Sequence, residues 1–269
     1  MAETEHGLYY IEQIAPGAYK LYEQRIASMY LVCGKEKALL IDTAYGLNDL
    51  KELTGELTDL PVTVINTHGH IDHIVGNRWF NGSTVFMQPD DVTLYDECII
   101  EYADIVNAPW VQEAYGDMFK DVDPSDARFP KTTDIREGDR IDLGGKTLEI
   151  VEVPGHTAGS ILLIDRDEKI CYAGDTIIEH VWLFLEESLS IDVYLKSLKK
   201  ARKILTEAGI EKIYNGHFCH KPITTDKLDI IIEGVESIVA GKAKGEHFEN
   251  FAGKGIEYTF GDFKVLCKE

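Results

Sequence analysis

The sequence predicts an α/β protein with two αβ halves whose sheets pack face to face between helical layers. Two observations support this fold class. Strand-like segments followed by a helical segment occur early in the chain, and the same order occurs again after about residue 135. A hydrophobic content of 44% is that of an ordinary globular chain. No apolar run approaches the roughly 20 residues that span a bilayer, so we expect no membrane partner.

The first half begins with short strands separated by the turns Pro16-Gly17 and Gly34-Lys35. The strand-like segments are 8–14, 18–24, 28–33 and 37–42. Leucines at near-helical spacing, from Leu47 to Leu57, predict a helix before Pro61. The short strand that follows, 62–65, leads directly into a segment rich in histidine.

The second half repeats this order and closes with two further strands. Strand-like segments are 146–153, 160–165, 169–173, 210–214, 256–260 and 263–267. A helix is predicted from about Asp192 to Gly209, because its apolar residues lie on one face and glycine ends helices. A second helix has an apolar face running from Leu228 to Val239.

The segment at about 89–131 does not follow this regularity. It is apolar and helix-like, and we interpret it as an insertion within one domain spanning residues 1–269. Its aromatic residues include Trp110 and Phe119. The insertion serves either as a lid over a substrate or as an amphipathic cap on the sandwich, and both interpretations stay open.

Charge and cysteine content narrow the class of partner. With 27 Lys and Arg against 47 Asp and Glu, the formal net charge of −20 argues against nucleic acid and anionic membranes. Five cysteines without a Cys-x-x-Cys pair indicate neither a disulfide framework nor a thiolate zinc site. Since the start resembles no signal peptide, we expect a cytoplasmic protein with a small-molecule substrate. The oligomeric state is not predicted.

The segment from His68 to His73 has the spacing of a metal-binding loop. Alternate residues of an extended loop point the same way, so His68 and His70 can bind one ion. Asp72 and His73 then face a second position. Imidazole and carboxylate groups suit zinc, iron or manganese, and the loop leaves the end of a buried strand, where open α/β sheets place their ligands.

Three later segments share one form, a strand that ends in a turn carrying one potential ligand. These ligands are His156, Asp175 and His217, each preceded by a glycine that permits a sharp turn. A lone histidine is usually a surface or core residue. However, five of the nine histidines occur at these positions, which favours a metal site.

Together these residues resemble the metallo-β-lactamase superfamily, or glyoxalase II-like metallo-hydrolases, over roughly residues 20–220. The resemblance implies a four-layer αβ/βα sandwich with a dinuclear centre at the open edge of the sheets. It further implies that each ion has its own ligands and that one residue bridges them. The first ion would be held by His68, His70 and His156, the second by Asp72, His73 and His217, with Asp175 as the bridge.

The expected chemistry is hydrolysis. Two divalent ions about 3.5–4 Å apart can hold a hydroxide that attacks at neutral pH. Zn²⁺ is the expected metal, and Fe or Mn are the alternatives. Asp72 is the predicted catalytic residue, because it can orient that hydroxide and handle its proton. Asp42 ends an early strand at the same sheet edge. It either fixes the tautomer of a ligand or caps a turn, and both roles stay open.

The predicted substrate is small and ester-like, with a thioester or lactone favoured. An alternative on the same scaffold is a persulfide dioxygenase with one iron held by His68, His156 and Asp175. Six residues are candidate substrate contacts, each with packing or surface exposure as the rival interpretation. They are Tyr45, Trp110, Phe119, His180, Trp182 and Phe184.

Overall fold

The computed structural model describes residues 4–23, 26–119, 124, 127–217 and 221–269. It divides into two compact units. Unit 1 comprises Met1–Ile135 and Asp142–Lys146, and unit 2 comprises Arg136–Ile141 and Thr147–Glu269. Among the described residues, no helix is long and apolar enough to cross a membrane.

Unit 1 is built on one eight-stranded sheet whose strands follow chain order. The strands are β1 Thr4–His6, β2 Tyr9–Ala15, β3 Ala18–Glu23, β4 Ala27–Cys33, β5 Ala38–Ile41, β6 Val62–Ile65, β7 Val85–Met87 and β8 Thr132–Asp134. β1 to β5 pair antiparallel, and β5 to β8 pair parallel. The four parallel strands therefore carry the chain to one sheet edge four times, and the histidine segment leaves β6 there.

Four α-helices connect the strands of unit 1. They are α1 Leu50–Leu57, α2 Ile71–Ile74, α3 Val92–Asn107 and α4 Pro109–Phe119. α1 starts after the expected first leucine, because the Asp49 side chain accepts hydrogen bonds from the backbone N–H groups of Lys51 and Glu52. Leu47 therefore lies outside the helix, although it is buried.

The segment interpreted as an insertion contains α3 and α4, whose buried side chains pack in one cluster with residues outside the segment. Tyr102, Val106, Val111 and Phe119 are buried in one cluster with Leu47. Phe119 also makes an edge-to-face contact with Tyr45, with ring centroids 5.4 Å apart. These contacts give α3 and α4 a packing role, and the lid interpretation remains a prediction.

Unit 2 contains two sheets. The five-stranded sheet has the order β14-β12-β11-β10-β9 and the four-stranded sheet β13-β17-β16-β15. The strands are β9 Arg140–Asp142, β10 Thr147–Glu152, β11 Ile161–Asp165, β12 Ile170–Tyr172, β13 His180–Leu183, β14 Lys212–Tyr214, β15 Glu246–Asn250, β16 Gly253–Phe260 and β17 Phe263–Cys267. The helices are α5 Ile191–Glu207 and α6 Thr225–Val239. One core cluster joins both helices to these strands, with Leu198 and Ile231 among its buried residues.

Truncation of Leu198 tests this core. Leu198 is fully buried, and Leu198→Ala removes transfer free energy and leaves a cavity. We expect the free energy of unfolding to fall by about 2–5 kcal/mol in urea titrations. Lys203→Ala, on an exposed position of the same helix, is the control and should change it little. Equal effects of the two substitutions would show that α5 is not packed as described.

Candidate metal centre

Unit 1 gathers three imidazole rings in the segment after β6. The ring centroid of His68 lies 4.8 Å from that of His70 and 4.1 Å from that of His73. His70 precedes the short helix α2, which carries Asp72 and His73. Asp72 Oδ2 lies 3.9 Å from His73 Nε2. The segment thus concentrates nitrogen and oxygen donors of the kind that bind divalent transition metals.

Asp42 fixes the tautomer of two of these imidazoles, which is the choice of the ring nitrogen that carries the proton. Its Oδ2 accepts hydrogen bonds from His73 Nδ1 at 3.0 Å and from Thr67 Oγ1 at 2.8 Å. Because the Thr67 hydroxyl proton is used in this way, its oxygen must accept from His68 Nδ1, 3.1 Å away. Both rings therefore carry their proton on Nδ1, which makes Nε2 the nitrogen that can ligate a metal. This geometry favours the tautomer-fixing role of Asp42 over a turn cap.

A network of buried amide side chains fixes the backbone of α2, the helix that carries Asp72 and His73. Asn66 Nδ2 donates to the backbone oxygen of His73 at 2.9 Å, and Asn77 Nδ2 donates to Asn66 Oδ1 at 2.8 Å. Thr43 Oγ1 donates to Asn77 Oδ1 at 2.9 Å. Asp91, itself buried, accepts from the backbone N–H of Gly69 at 2.8 Å. The backbone between the ligands is thus fixed from several sides.

The loop after Asp42 is strained and tightly anchored. Asp42 and Ala44 adopt left-handed φ angles of 58° and 49°, which side chains with a Cβ atom rarely do. The buried Glu23 carboxylate accepts from the backbone N–H groups of Tyr45 and Leu47 at 2.9 and 2.7 Å. Arg78 donates to the Tyr45 and Gly46 backbone oxygens, both at 2.8 Å. Sequence reasoning missed Glu23, because a single glutamate at a strand end reads as a surface residue.

Unit 2 brings the three later ligands together. Asp175 Oδ2 lies 3.1 Å from His217 Nε2 and 3.7 Å from His156 Nε2. His156 Nδ1 donates to the backbone oxygen of Trp182 at 2.7 Å. A carbonyl oxygen can only accept, so the His156 ring also presents Nε2 as its ligating nitrogen. Three turns that are far apart in the sequence thus place their donors around one carboxylate oxygen.

Backbone geometry explains the glycines that precede these ligands. A Cβ at Gly155 would lie 2.7 Å from the ring of Tyr194, so only glycine fits there. Gly174 has a left-handed φ of 48°, and its backbone oxygen accepts from Gly216 N at 2.9 Å. The Asp175 and His217 turns are therefore bonded directly to each other.

The donor set of the chain fits metal binding. Side chains that could ligate an ion are His68, His70, Asp72 and His73 in unit 1, and His156, Asp175 and His217 in unit 2. Three of these imidazoles present Nε2, and the carboxylates supply hard oxygen donors. This combination suits zinc, iron and manganese alike.

The residues predicted to contact the substrate lie in several different elements of the fold. Tyr45 and Phe119 pack against each other within unit 1. His180 begins β13 on an exposed position, paired with Lys264 of β17. Trp182 and Phe184 contact each other, with ring centroids 5.2 Å apart. The side chain of Trp110 lies outside the described residues.

The family follows from a comparison of the whole sequence. The model of the metallo-beta-lactamase superfamily matches residues 22–217, which is most of the chain. The chain therefore belongs to this superfamily, and the predicted α/β fold class is confirmed.

Individual relatives share most of the chain. Acyl-coenzyme A thioesterase MBLAC2 is 26% identical over 233 residues in both Bos taurus and Homo sapiens, covering 79% of this chain and 78% of each relative. A solved metallo-beta-lactamase from Pontibacter korlensis superposes with a TM-score of 0.62 at 16% identity. That match covers 85% of this chain and 99% of the other. At this identity it supports the fold alone.

Replacing Asp42 tests its control of the ligands. Asp42→Asn retains one acceptor oxygen where three hydrogen bonds end. We expect Zn²⁺ affinity, measured by competition with a chelator, to fall about 10–100-fold. Asp59→Asn, an exposed aspartate, is the control and should bind Zn²⁺ like the wild type. Unchanged affinity in Asp42→Asn would show that Asp42 only caps a turn.

The pH dependence of stability tests Glu23. Burial raises its pKa from 4.5 to about 7. The folded chain therefore binds this proton more tightly than the unfolded chain, and stability is lost as the pH rises between these values. Glu23→Gln removes this titration, so the stability of the variant relative to the wild type should increase over that range in urea titrations. Glu97→Gln, at an exposed position, should show no such trend. A flat difference for Glu23→Gln would contradict the raised pKa.

Proposed function

We propose that the chain is a metal-dependent hydrolase that cleaves small acyl thioesters of the acyl-coenzyme A type at a dinuclear centre. The observation that carries this proposal is the set of seven donors, of which three imidazoles present Nε2 as the ligating nitrogen. The MBLAC2 relatives, named as acyl-coenzyme A thioesterases, support the thioester as the substrate class. The match to a probable metallo-hydrolase of Methanocaldococcus jannaschii, 29% identical over 160 residues, supports hydrolysis.

The ligands of the proposed centre follow the resemblance to the superfamily. His68, His70 and His156 would hold one ion, and Asp72, His73 and His217 the second, with Asp175 bridging. This number of ligands supports two ions over one. Zn²⁺ is the expected metal, and iron or manganese suit the same donors.

The reaction needs a nucleophile, a polarised carbonyl and a route for one proton. Bound metal ions would supply a low pKa for water and an electrophile for the thioester oxygen. Water attacks the carbonyl carbon, the carbon–sulfur bond breaks, and the thiol and carboxylic acid leave. Asp72 is partly buried, and its carboxylate can orient the attacking water and accept its proton. His73, held by Asp42, places its Nε2 3.9 Å from Asp72 Oδ2.

Asp72→Ala tests the dinuclear proposal. The variant loses a ligand and the proton acceptor, so metal content by elemental analysis should fall from two ions per chain towards one. The kcat/KM for an acyl-coenzyme A should fall at least about 100-fold, within the usual range for general acid–base groups. Asp59→Ala is the control and should keep two ions and full activity.

The metal content of the wild type decides between the alternatives. Two zinc ions with thioester turnover support the proposal. A single redox-active iron with oxygen consumption on a persulfide would favour the dioxygenase, and full activity with one ion would contradict the dinuclear centre. A parallel panel of lactones distinguishes the two ester classes. The predicted cytoplasmic location stays a prediction.

Removal of the metal should also lower the melting temperature. A ligand that binds the folded chain alone stabilises it by mass action. Thermal scans before and after chelation, with metal loss verified by elemental analysis, measure this change. Re-addition of Zn²⁺ should restore the original value, and an unchanged melting temperature after verified metal loss would contradict selective binding of the metal to the folded chain.

A further inference from the structure

Four aromatic rings in unit 2 form a continuous series. Phe251 contacts Trp182 with ring centroids 5.8 Å apart, Trp182 contacts Phe184 at 5.2 Å, and Phe184 contacts Phe248 at 4.9 Å. Trp182 and Phe184 come from β13 and the residue after it, whereas Phe248 and Phe251 come from β15 and its turn. None of the four belongs to the main core cluster of unit 2.

Glycines make room for these rings. A Cβ at Gly253 would lie 3.2 Å from the ring of Phe184, and one at Gly255 would lie 3.1 Å from the ring of Phe248. Gly255 is also the cross-strand partner of Phe248. The four-stranded sheet thus has a surface on which aromatic rings lie directly against backbone.

Trp182, which lies between Phe251 and Phe184 in the series, is bonded through its backbone to a proposed metal ligand. The backbone oxygen of Trp182 accepts the hydrogen bond from His156 Nδ1 at 2.7 Å. Ser188 Oγ donates to the backbone oxygen of His156 at 2.9 Å, which gives the His156 backbone a second fixed contact. Phe251, the direct neighbour of Trp182 and one end of the series, is 67% exposed. A solvent-exposed ring therefore lies next to the residue whose backbone holds a proposed ligand.

We propose that Trp182, Phe248 and Phe251 bind the acyl chain of the substrate and set the preferred chain length, with the buried Phe184 packed against Trp182 and Phe248. This inference rests on the proposed thioester hydrolysis. On this proposal the acyl chain lies against Trp182 first, and a longer chain extends to the neighbouring Phe251. An exposed phenylalanine next to other rings is typical of an apolar ligand site.

The rate test uses acetyl-, hexanoyl- and decanoyl-coenzyme A. Because each buried methylene favours binding, kcat/KM of the wild type should rise by roughly threefold or more per two carbons until the surface is covered. In Phe251→Ala the loss of kcat/KM should grow with chain length and be at least about fivefold larger for decanoyl than for acetyl. Phe251→Leu, which keeps an apolar side chain, should restore most of the dependence.

The control is Ile230→Ala, which removes an exposed apolar side chain from α6 in the same unit. It should keep the chain-length dependence of the wild type. A flat series in the wild type, or the same slope in Phe251→Ala as in Ile230→Ala, would overturn the proposal. A change of molecular mass in solution caused by Phe251→Ala would also overturn it, since the surface would then be covered by a second copy.

A binding measurement separates this inference from the proposed function. S-ethyl-, S-hexyl- and S-decyl-coenzyme A thioethers cannot be hydrolysed, so their Kd values, measured by calorimetry, do not require turnover. If the metal-loaded wild type hydrolyses no thioester, the proposed function fails. A Kd that still tightens with chain length, and does so less in Phe251→Ala, would support the aromatic site alone. A Kd independent of chain length would overturn it.

Discussion

The hydrogen bonds that end on the buried Asp42 carboxylate govern the geometry of unit 1. They fix His73 directly and His68 through Thr67. Asp42 reaches this position with a left-handed backbone, φ 58°, whose cost must be offset by contacts around it. Glu23 and Arg78 supply those contacts by binding the N–H and carbonyl groups of the following loop. Buried polar groups on several elements of unit 1 therefore contribute to the orientation of two imidazole rings.

In unit 2, a backbone group instead of a carboxylate orients the imidazole ring of His156. The partner of His156 Nδ1 is the carbonyl oxygen of Trp182, a group that cannot ionise. Its acceptor strength therefore does not change with pH, in contrast to that of a carboxylate. The turns of Asp175 and His217 are joined through the hydrogen bond between Gly216 and Gly174. A hydrogen bond thus replaces a buried charge as the element that fixes the ligand.

The elements with regular apolar spacing were predictable, including β2 to β6, β10 to β12 and both helices of unit 2. The strands that sequence reasoning missed are short or polar. β7 and β8 have three residues each, and β15 reads Glu-His-Phe-Glu-Asn. Their pairing comes from neighbouring strands, which local patterns do not encode. The seven potential ligands were found because a dense histidine segment and three glycine turns are local features.

The groups that orient those ligands could not be found in this way. Glu23 and Asp91 are single acidic residues, separated from their partners Tyr45 and Gly69 by 22 residues each. Nothing in the local sequence distinguishes them from surface carboxylates, and only burial with backbone donors reveals their role. Phe248 and Phe251 were overlooked for the same reason, since neither belongs to an apolar run. Motifs therefore predict the potential metal ligands, whereas the residues that we propose as acyl-chain contacts emerge from contacts between strands distant in the chain.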